Sequence, residues 1–100
     1  MKCVLLSADN NPSVYSVPDV VAKNLRKYCI DFCDKWLRQS PNAKKFRIGG
    51  GVCYNEKDFI EYLNTWISPD EPSVLIENLG WINSKADIPE KYKDCEWFNF

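Results

Sequence analysis

The stretch GGGVCYNEKDFIEYLNTWI, residues 49–67, contains the two signals that decide the fold, a glycine turn and an amphipathic helix. Consecutive glycines are typical of a tight reversal, because glycine adopts positive φ without strain. Asn55 is a preferred helix N-cap, and Asp58 stands three residues later, at the capping-box position. The stretch therefore predicts a strand pair joined by glycines and followed by a helix over residues 56–67. The predicted buried stripe of this helix comprises Phe59, Ile60, Leu63, Trp66 and Ile67.

A glycine run ahead of a helix is also a feature of phosphate-binding loops, in which backbone N–H groups and a lysine converge on the anion. Here residues 52–54 separate the glycines from the helix. The helix begins with Glu56 and Asp58, and both carboxylates repel phosphate. The pattern favours a turn or bulge between strands; flexible ligand contact and phosphate binding are the alternatives.

The segments that precede this stretch predict a strand or hairpin and then a long helix. Residues 2–7 have the pattern of a strand, the ADNNPS motif at residues 8–13 favours a reversal, and residues 14–16 form a short return strand. Pro18 and Asp19 suit the first turn of a helix that ends at the SPN motif. Its apolar stripe comprises Val21, Leu25, Tyr28, Phe32 and Trp36.

The segments that follow predict one more strand, over residues 73–76, and an irregular tail packed on the domain after residue 81. The whole chain, residues 1–100, is then a single α+β domain. A small, mainly antiparallel sheet covered by two helices buries both helical stripes at once, in the order strand or hairpin, helix, strand pair, helix, strand, tail.

Composition excludes several classes of function. The chain has no histidine, which excludes the usual serine and cysteine triads and zinc sites that contain histidine. The apolar run near the N-terminus is too short for a signal-peptide core, and no stretch has the length of a membrane span, so we expect a cytoplasmic protein with no membrane partner. We expect no cofactor.

The five cysteines, an odd number without framework spacing, predict reduced thiols. Cys29 and Cys33 share a helix face, and Cys3, Cys53 or Cys95 would be needed to complete a metal site. Structural zinc favours pairs on tight turns, so core packing is the preferred interpretation. A metal site and a reactive thiol remain the alternatives.

Charge is distributed unevenly along the chain. Residues 1–50 contain nine Lys and Arg and four Asp, whereas residues 51–100 contain ten Asp and Glu and four Lys. The basic residues cluster on the long helix and just after it, which is typical of a solvated helix face and, alternatively, of nucleic-acid binding. Acidic residues lie among them, so we expect no nucleic-acid partner. This basic group comprises Lys23, Arg26, Lys27, Lys35, Arg38, Lys44, Lys45 and Arg47.

The acidic half also contains many aromatic rings, and rings bordered by charges are typical of protein interfaces. Opposed electrostatic fields speed the encounter of such a surface with a basic partner. A solvated acidic face and core packing of the rings are the alternatives. The residues that we predict to bind a protein partner are Glu56, Asp58, Glu61, Tyr62, Asp70, Glu71 and Trp97.

In its length, slightly acidic composition and lack of catalytic residues, the chain is similar to the small immunity proteins that bacteria encode beside contact-dependent and other polymorphic toxins. The stretches that we expect relatives to share are GGVCYNEKDFIEYLNTWI (residues 50–67) and SVLIENLGWI (residues 73–82). The resemblance implies a non-enzymatic inhibitor that neutralises a cognate toxin, such as a basic nuclease. The alternatives are a phage or mobile-element protein that inhibits a host defence enzyme, and a small enzyme using cysteine or carboxylate chemistry.

Overall fold

A computed structural model describes residues 1–8 and 11–100 of the chain. The strands, in chain order, are β1 (Lys2–Ser7), β2 (Ser13–Val17), β3 (Arg47–Ile48), β4 (Gly51–Val52), β5 (Val74–Asn78) and β6 (Glu96–Asn99). The helices are α1 (Asp19–Lys23), α2 (residues 25–39) and α3 (residues 56–67). Short 3₁₀ segments cover Pro41–Phe46, Lys85–Asp87 and Glu90–Tyr92. Asp9 and Asn10, which belong to the predicted reversal, lie outside the described residues.

The central sheet has four strands in the order β5-β2-β1-β6. β1 pairs antiparallel with β2, and β2 pairs antiparallel with β5. β6 lies parallel to β1, with Leu5 opposite Trp97. The predicted α+β class, with a mainly antiparallel sheet and two substantial helices, is therefore confirmed.

The first helical region differs from the single helix predicted for it. Asn24, with φ −125°, leaves the helical conformation and separates α1 from α2. Its side-chain amide donates to the Val20 carbonyl at 3.0 Å, a local bond that competes with the helix. Within α2, Asp31–Trp36 has π-helical hydrogen bonding. The predicted stripe nevertheless faces the core, since Val21, Leu25 and Phe32 are fully buried and the other two members are half-buried.

Two clusters of apolar side chains lie on opposite faces of the sheet. Alternation along β1 sends Val4 and Leu6 to the face covered by the helices and Leu5 to the other face. Phe32 is the centre of the helix-side cluster, with ring centroids 5.2–6.4 Å from five other aromatic rings. The second cluster is closed by residues 79–97, through Ile82, Ile88 and Tyr92.

The glycine triplet forms the turn that the sequence predicts. Gly49 and Gly50 have φ of 56° and 85°, the two positive values that a tight two-residue hairpin turn requires. They join β3 to β4, which form a separate two-stranded hairpin, with Arg47 opposite Val52.

The C-terminal tail is more ordered than the irregular segment predicted for it. β6 joins the sheet as an edge strand, and the backbone N–H of Phe100 donates to the Ser7 carbonyl at 2.8 Å. Strand alternation sends Phe98 and Phe100 to the helix-side cluster and Trp97 to the second cluster. Core packing therefore accounts for the terminal rings.

The described residues include no helix with the length and apolar character needed to cross a membrane.

Candidate protein-binding surface

The N-terminus of α3 positions the predicted acidic residues. Asn55 Oδ1 accepts hydrogen bonds from the backbone N–H groups of Lys57 and Asp58, at 2.9 and 3.2 Å. Asp58 Oδ2 in turn accepts from the backbone N–H of Asn55 at 2.9 Å, so the predicted capping box is complete. The Asp58 carboxylate is thus engaged with its own helix, whereas Glu61, one turn later, is exposed.

A small cleft of about 140 Å³ brings together three of the predicted residues, Asp58, Glu61 and Tyr62. Its apolar lining includes Phe46 and the half-exposed Trp66. The remaining lining residues are Trp36, Asn42, Lys45 and Thr65. A rigid aromatic floor with carboxylates at the rim is the arrangement that suits a buried anchor side chain from another protein.

Tyr62 belongs mainly to the core. The residue is 7% exposed, and its ring centroid lies 5.1 Å from that of Trp36 and 5.2 Å from that of Phe32. Burial, and then the charge of Asp31, raises the pKa of the Tyr62 phenol. Tyr62 thus forms part of the cleft floor, and its chief role is packing.

Asp70 and Glu71 lie on the loop that joins α3 to β5, and both are exposed. Asn64 fixes this loop: its amide donates to the Ser73 carbonyl at 3.0 Å and its Oδ1 accepts from the Ser73 N–H at 2.6 Å. Within the described part of the chain, neither acid forms a salt bridge. Both carboxylates are therefore free to meet a cationic group.

Two further predicted residues lie apart from this loop. Glu56 is half-buried at the start of α3, and its charge adds to the effect of burial in raising the pKa of Tyr15 to about 12. Trp97 packs in the second cluster, on the face of the sheet away from α3, and its indole N–H donates to Ser7 Oγ at 2.8 Å. The structure therefore does not bring Trp97 together with the other predicted residues.

The helix prediction was wrong about the last turn of α3. Trp66 and Ile67, placed in the buried stripe, are 50% and 38% exposed. The segment Leu63–Ile67 is π-helical, and the Ser68 N–H donates to the Leu63 carbonyl five residues earlier. A π-helical turn contains more than four residues, so Trp66, three positions after Leu63, is turned away from the buried face, and Ile67 lies at the exposed end of the helix.

Sequence reasoning also missed the exposure of β5. All five of its residues are exposed, including Val74 at 54%, Leu75 at 52% and Ile76 at 45%. A short apolar run is typical of a buried strand, so the local sequence does not indicate that β5 is exposed. We name the exposed residues of this segment, which is continuous along the chain, the α3–β5 surface: Glu61, Trp66, Ile67, Asp70, Glu71, Val74, Leu75 and Ile76. The register with β2 places Leu75 opposite Tyr15, on the helix side of the sheet, and Val74 opposite Ser16, on the other face.

Arg47, counted with the basic residues, has a structural role. Its guanidinium donates to the carbonyls of Leu37, at 2.8 Å, and Ser40, and so links β3 to the end of α2. The other members of that basic group are exposed. A groove of about 500 Å³ along α2 is lined by Lys23, Arg26 and Lys27 but also by acidic residues.

The cysteines do not converge on one site. Among the described residues, no cluster of three or more potential metal ligands occurs. Cys29 is buried, and Cys33 Sγ donates to the Tyr54 hydroxyl at 3.3 Å. Burial raises the pKa of the Cys29, Cys33 and Cys95 thiols, which disfavours the nucleophilic thiolate at neutral pH.

A cavity of about 540 Å³ opens on the face of the sheet away from the helices. Trp97, Tyr92 and Leu5 provide its aromatic and apolar lining, and Cys95 lies at its edge. Its charged residues, Lys85, Lys93 and Glu96, have mixed signs. The Trp97 indole N–H is already bonded to Ser7, so this side chain offers a ligand only its ring.

Comparison of the chain with protein-family models, with curated proteins and with solved structures finds no match.

Proposed function

We propose that this chain is a non-enzymatic protein-binding inhibitor that acts in the cytoplasm and neutralises a basic protein, in the manner of an immunity protein bound to a toxin nuclease. The α3–β5 surface is the proposed docking face. The observation that carries the proposal is the exposure of Trp66, Ile67 and three consecutive apolar residues of β5 in a segment that also contains exposed carboxylates.

Five exposed apolar side chains within residues 66–76 favour a binding role over simple solvation. Scattered apolar residues are normal on protein surfaces, whereas a contiguous patch with a polar rim is typical of an interaction site. Trp66 is half-exposed above the cleft floor, and Val74 begins β5 directly after the loop that Asn64 holds. Fixing the loop before binding lowers the entropy lost on association.

The charges of this surface support a basic partner. Glu61, Asp70 and Glu71, in the same segment of the chain as the apolar residues, are exposed. Carboxylates at the rim raise the association rate with a cationic protein and disfavour acidic competitors. A nuclease fits this requirement, because a protein that binds nucleic acid presents basic side chains to phosphates.

The direct test is a pull-down of the tagged chain from its native host, with the products of the two neighbouring genes co-expressed, followed by mass spectrometry. Retention of one basic protein in stoichiometric amount, together with loss of its activity on addition of the chain, is the expected result. A stoichiometric partner whose activity is unchanged, or retention of nothing, contradicts the proposal.

A charge-reversal variant locates the docking face. Glu61→Lys, Asp70→Lys and Glu71→Lys in one chain are expected to weaken partner binding at least tenfold, because three attractive contacts become repulsive. Asp58 is left unchanged, since reversing its charge removes the capping box and costs about 0.5–2 kcal/mol of stability.

The matched control is Asp34→Lys, Glu90→Lys and Asp94→Lys, which changes the net charge equally with exposed residues outside the α3–β5 surface. This variant is expected to retain nearly all of the affinity. Equal losses in the two variants would mean that net charge alone drives binding, and would contradict the assignment of this face.

A further inference from the structure

β5 is an edge strand whose outer side is open. It pairs with β2 on one side, and in the described part of the chain no strand pairs with its other side. An open edge presents unpaired backbone N–H and C=O groups to any extended chain that approaches. Natural proteins usually protect such edges with lysine, proline, inward-pointing charges or bulges.

β5 carries few of these protections. Its sequence, VLIEN, contains no lysine or proline. The register with β2 passes from Glu77, opposite Val14, to Leu75, opposite Tyr15, so Ile76 is the extra residue of a bulge. The bulge limits how far a regular ladder can extend, and a short segment is therefore the occupant that the edge can accept.

The opposite edge of the sheet is arranged differently. β6 has half-buried Trp97 and Phe98, one on each face, and Glu96 borders the groove along α2. β6 is also unpaired on its outer side among the described residues, so the feature that distinguishes β5 is the exposure of its apolar side chains.

Charges define the kind of segment that fits. Asp70 and Glu71 lie just before β5, and Glu77 lies within it. Glu77 already accepts a hydrogen bond from the Tyr92 hydroxyl at 2.6 Å and lies 3.7 Å from Lys91 Nζ. Asp70 and Glu71 are therefore the carboxylates that remain for an incoming cation. A second copy of this chain would bring the same acidic loop to the edge, whereas a basic segment complements it.

We infer that β5 accepts an extended segment of the basic partner as an additional β-strand, with apolar side chains of the segment beside Val74–Ile76 and its lysine or arginine residues near Asp70 and Glu71. Backbone hydrogen bonds supply affinity in this mode, and side-chain pockets and charges supply selectivity. This inference rests on the proposed function and specifies the structural element through which the partner is recognised.

Hydrogen exchange of the intact chain with a synthetic probe tests the inference. The probe is a short peptide of central valines flanked by lysines. At a free peptide concentration of about ten times the Kd, the amides on the outer side of β5 that exchange only from the free state should exchange about tenfold more slowly. A peptide with the same lysines but with prolines in place of the valines cannot form a ladder, and is expected to leave the β5 amides unprotected.

Two further controls distinguish the contribution of charge to peptide binding from that of strand pairing. A peptide with glutamates in place of the lysines is expected to bind more weakly. The Asp70→Lys, Glu71→Lys variant is expected to lose several-fold in affinity for the basic peptide, whereas the control variant Asp34→Lys, Asp94→Lys retains it. Equal protection by the proline peptide, or protection located only outside residues 74–78, overturns the inference. A peptide-free dimer protected at β5 overturns it as well, because the occupant is then a second copy.

The same measurement on the complex with a retained partner distinguishes the two proposals. If a stoichiometric basic partner is inhibited while the β5 amides continue to exchange freely, the proposed function stands and strand addition is excluded. If the basic peptide protects β5 but no partner is retained or inhibited, strand addition stands and the inhibitor function is contradicted.

Discussion

The two edges of the central sheet use their apolar residues in opposite ways. In β6, Trp97 packs on one face, and Phe98 packs on the other, where it continues into Phe100. In β5, three consecutive apolar residues remain 45–54% exposed. This difference shows that an apolar strand is buried only where another element crosses it: the helices cover one face of β6 and residues 79–95 cover the other.

Alkaline pH should have the largest effect on stability, because it ionises side chains of the packed core. Burial raises the pKa of Cys29 above the ordinary thiol value of 9.0, and burial with the charge of Glu56 raises that of Tyr15 from 10.0 to about 12. Since the unfolded chain loses these protons first, stability is intact below pH 9.0 and falls as the pH rises through 10.0 towards about 12. Urea unfolding between pH 7 and about 11 measures this.

Cys33, Tyr54 and Tyr62 act in the same direction, because burial raises their pKa values as well. A urea midpoint that stays constant, or rises, across this range would show that these groups are not buried as described.

A matched pair of truncations compares the two edges directly. Trp97→Ala is expected to lower the free energy of unfolding by about 2–3 kcal/mol, because it removes a half-buried ring and the hydrogen bond to Ser7. Leu75→Ala, in the exposed strand, should cost no more than about 1 kcal/mol. Urea denaturation of both variants measures the difference. Equal losses would contradict the contrast between a packed edge and an open one.

A smaller difference in stability is expected between two carboxylates of α3, one bonded to the helix backbone and one exposed. Asp58→Ala removes one half of the capping box and is expected to cost about 1 kcal/mol. Glu61→Ala, one turn later and exposed, should change stability by no more than about 0.5 kcal/mol. Thermal unfolding at pH 7 compares them. A larger loss for Glu61→Ala would place that side chain in a structural role and remove it from the docking face.

Much of the fold could be predicted because its signals are local. The capping box of Asn55 and Asp58, the glycine turn and the stripe from Val21 to Trp36 each depend on residues a few positions apart. The break at Asn24 was not predicted, because the spacing of the apolar residues is the same on both sides of it. The sequence pattern does not show that the Asn24 side chain bonds to the Val20 carbonyl and leaves the helix. β6 was not predicted either, since its partner, β1, lies at the other end of the chain.

The candidate site could be predicted only in part. Composition indicated an acidic and aromatic half, and the structure brings Asp58, Glu61 and Tyr62 to one cleft. It places Trp97 on the opposite face of the sheet, because strand alternation determines which cluster a ring enters. The open edge at β5 has no sequence signal, since exposure depends on which elements fail to cover a strand.

The sequence by itself determined most of the elements, but not β6 or the break at Asn24: residue spacing, caps and glycines are short-range constraints that act before the chain is packed. It also determined the division of charge between the two halves and the absence of histidine chemistry. Only the tertiary structure decided which apolar residues are covered. Burial of Trp97 and exposure of Trp66 and Val74 follow from the order of strands and from what crosses each face, and these depend on contacts between residues far apart in the chain.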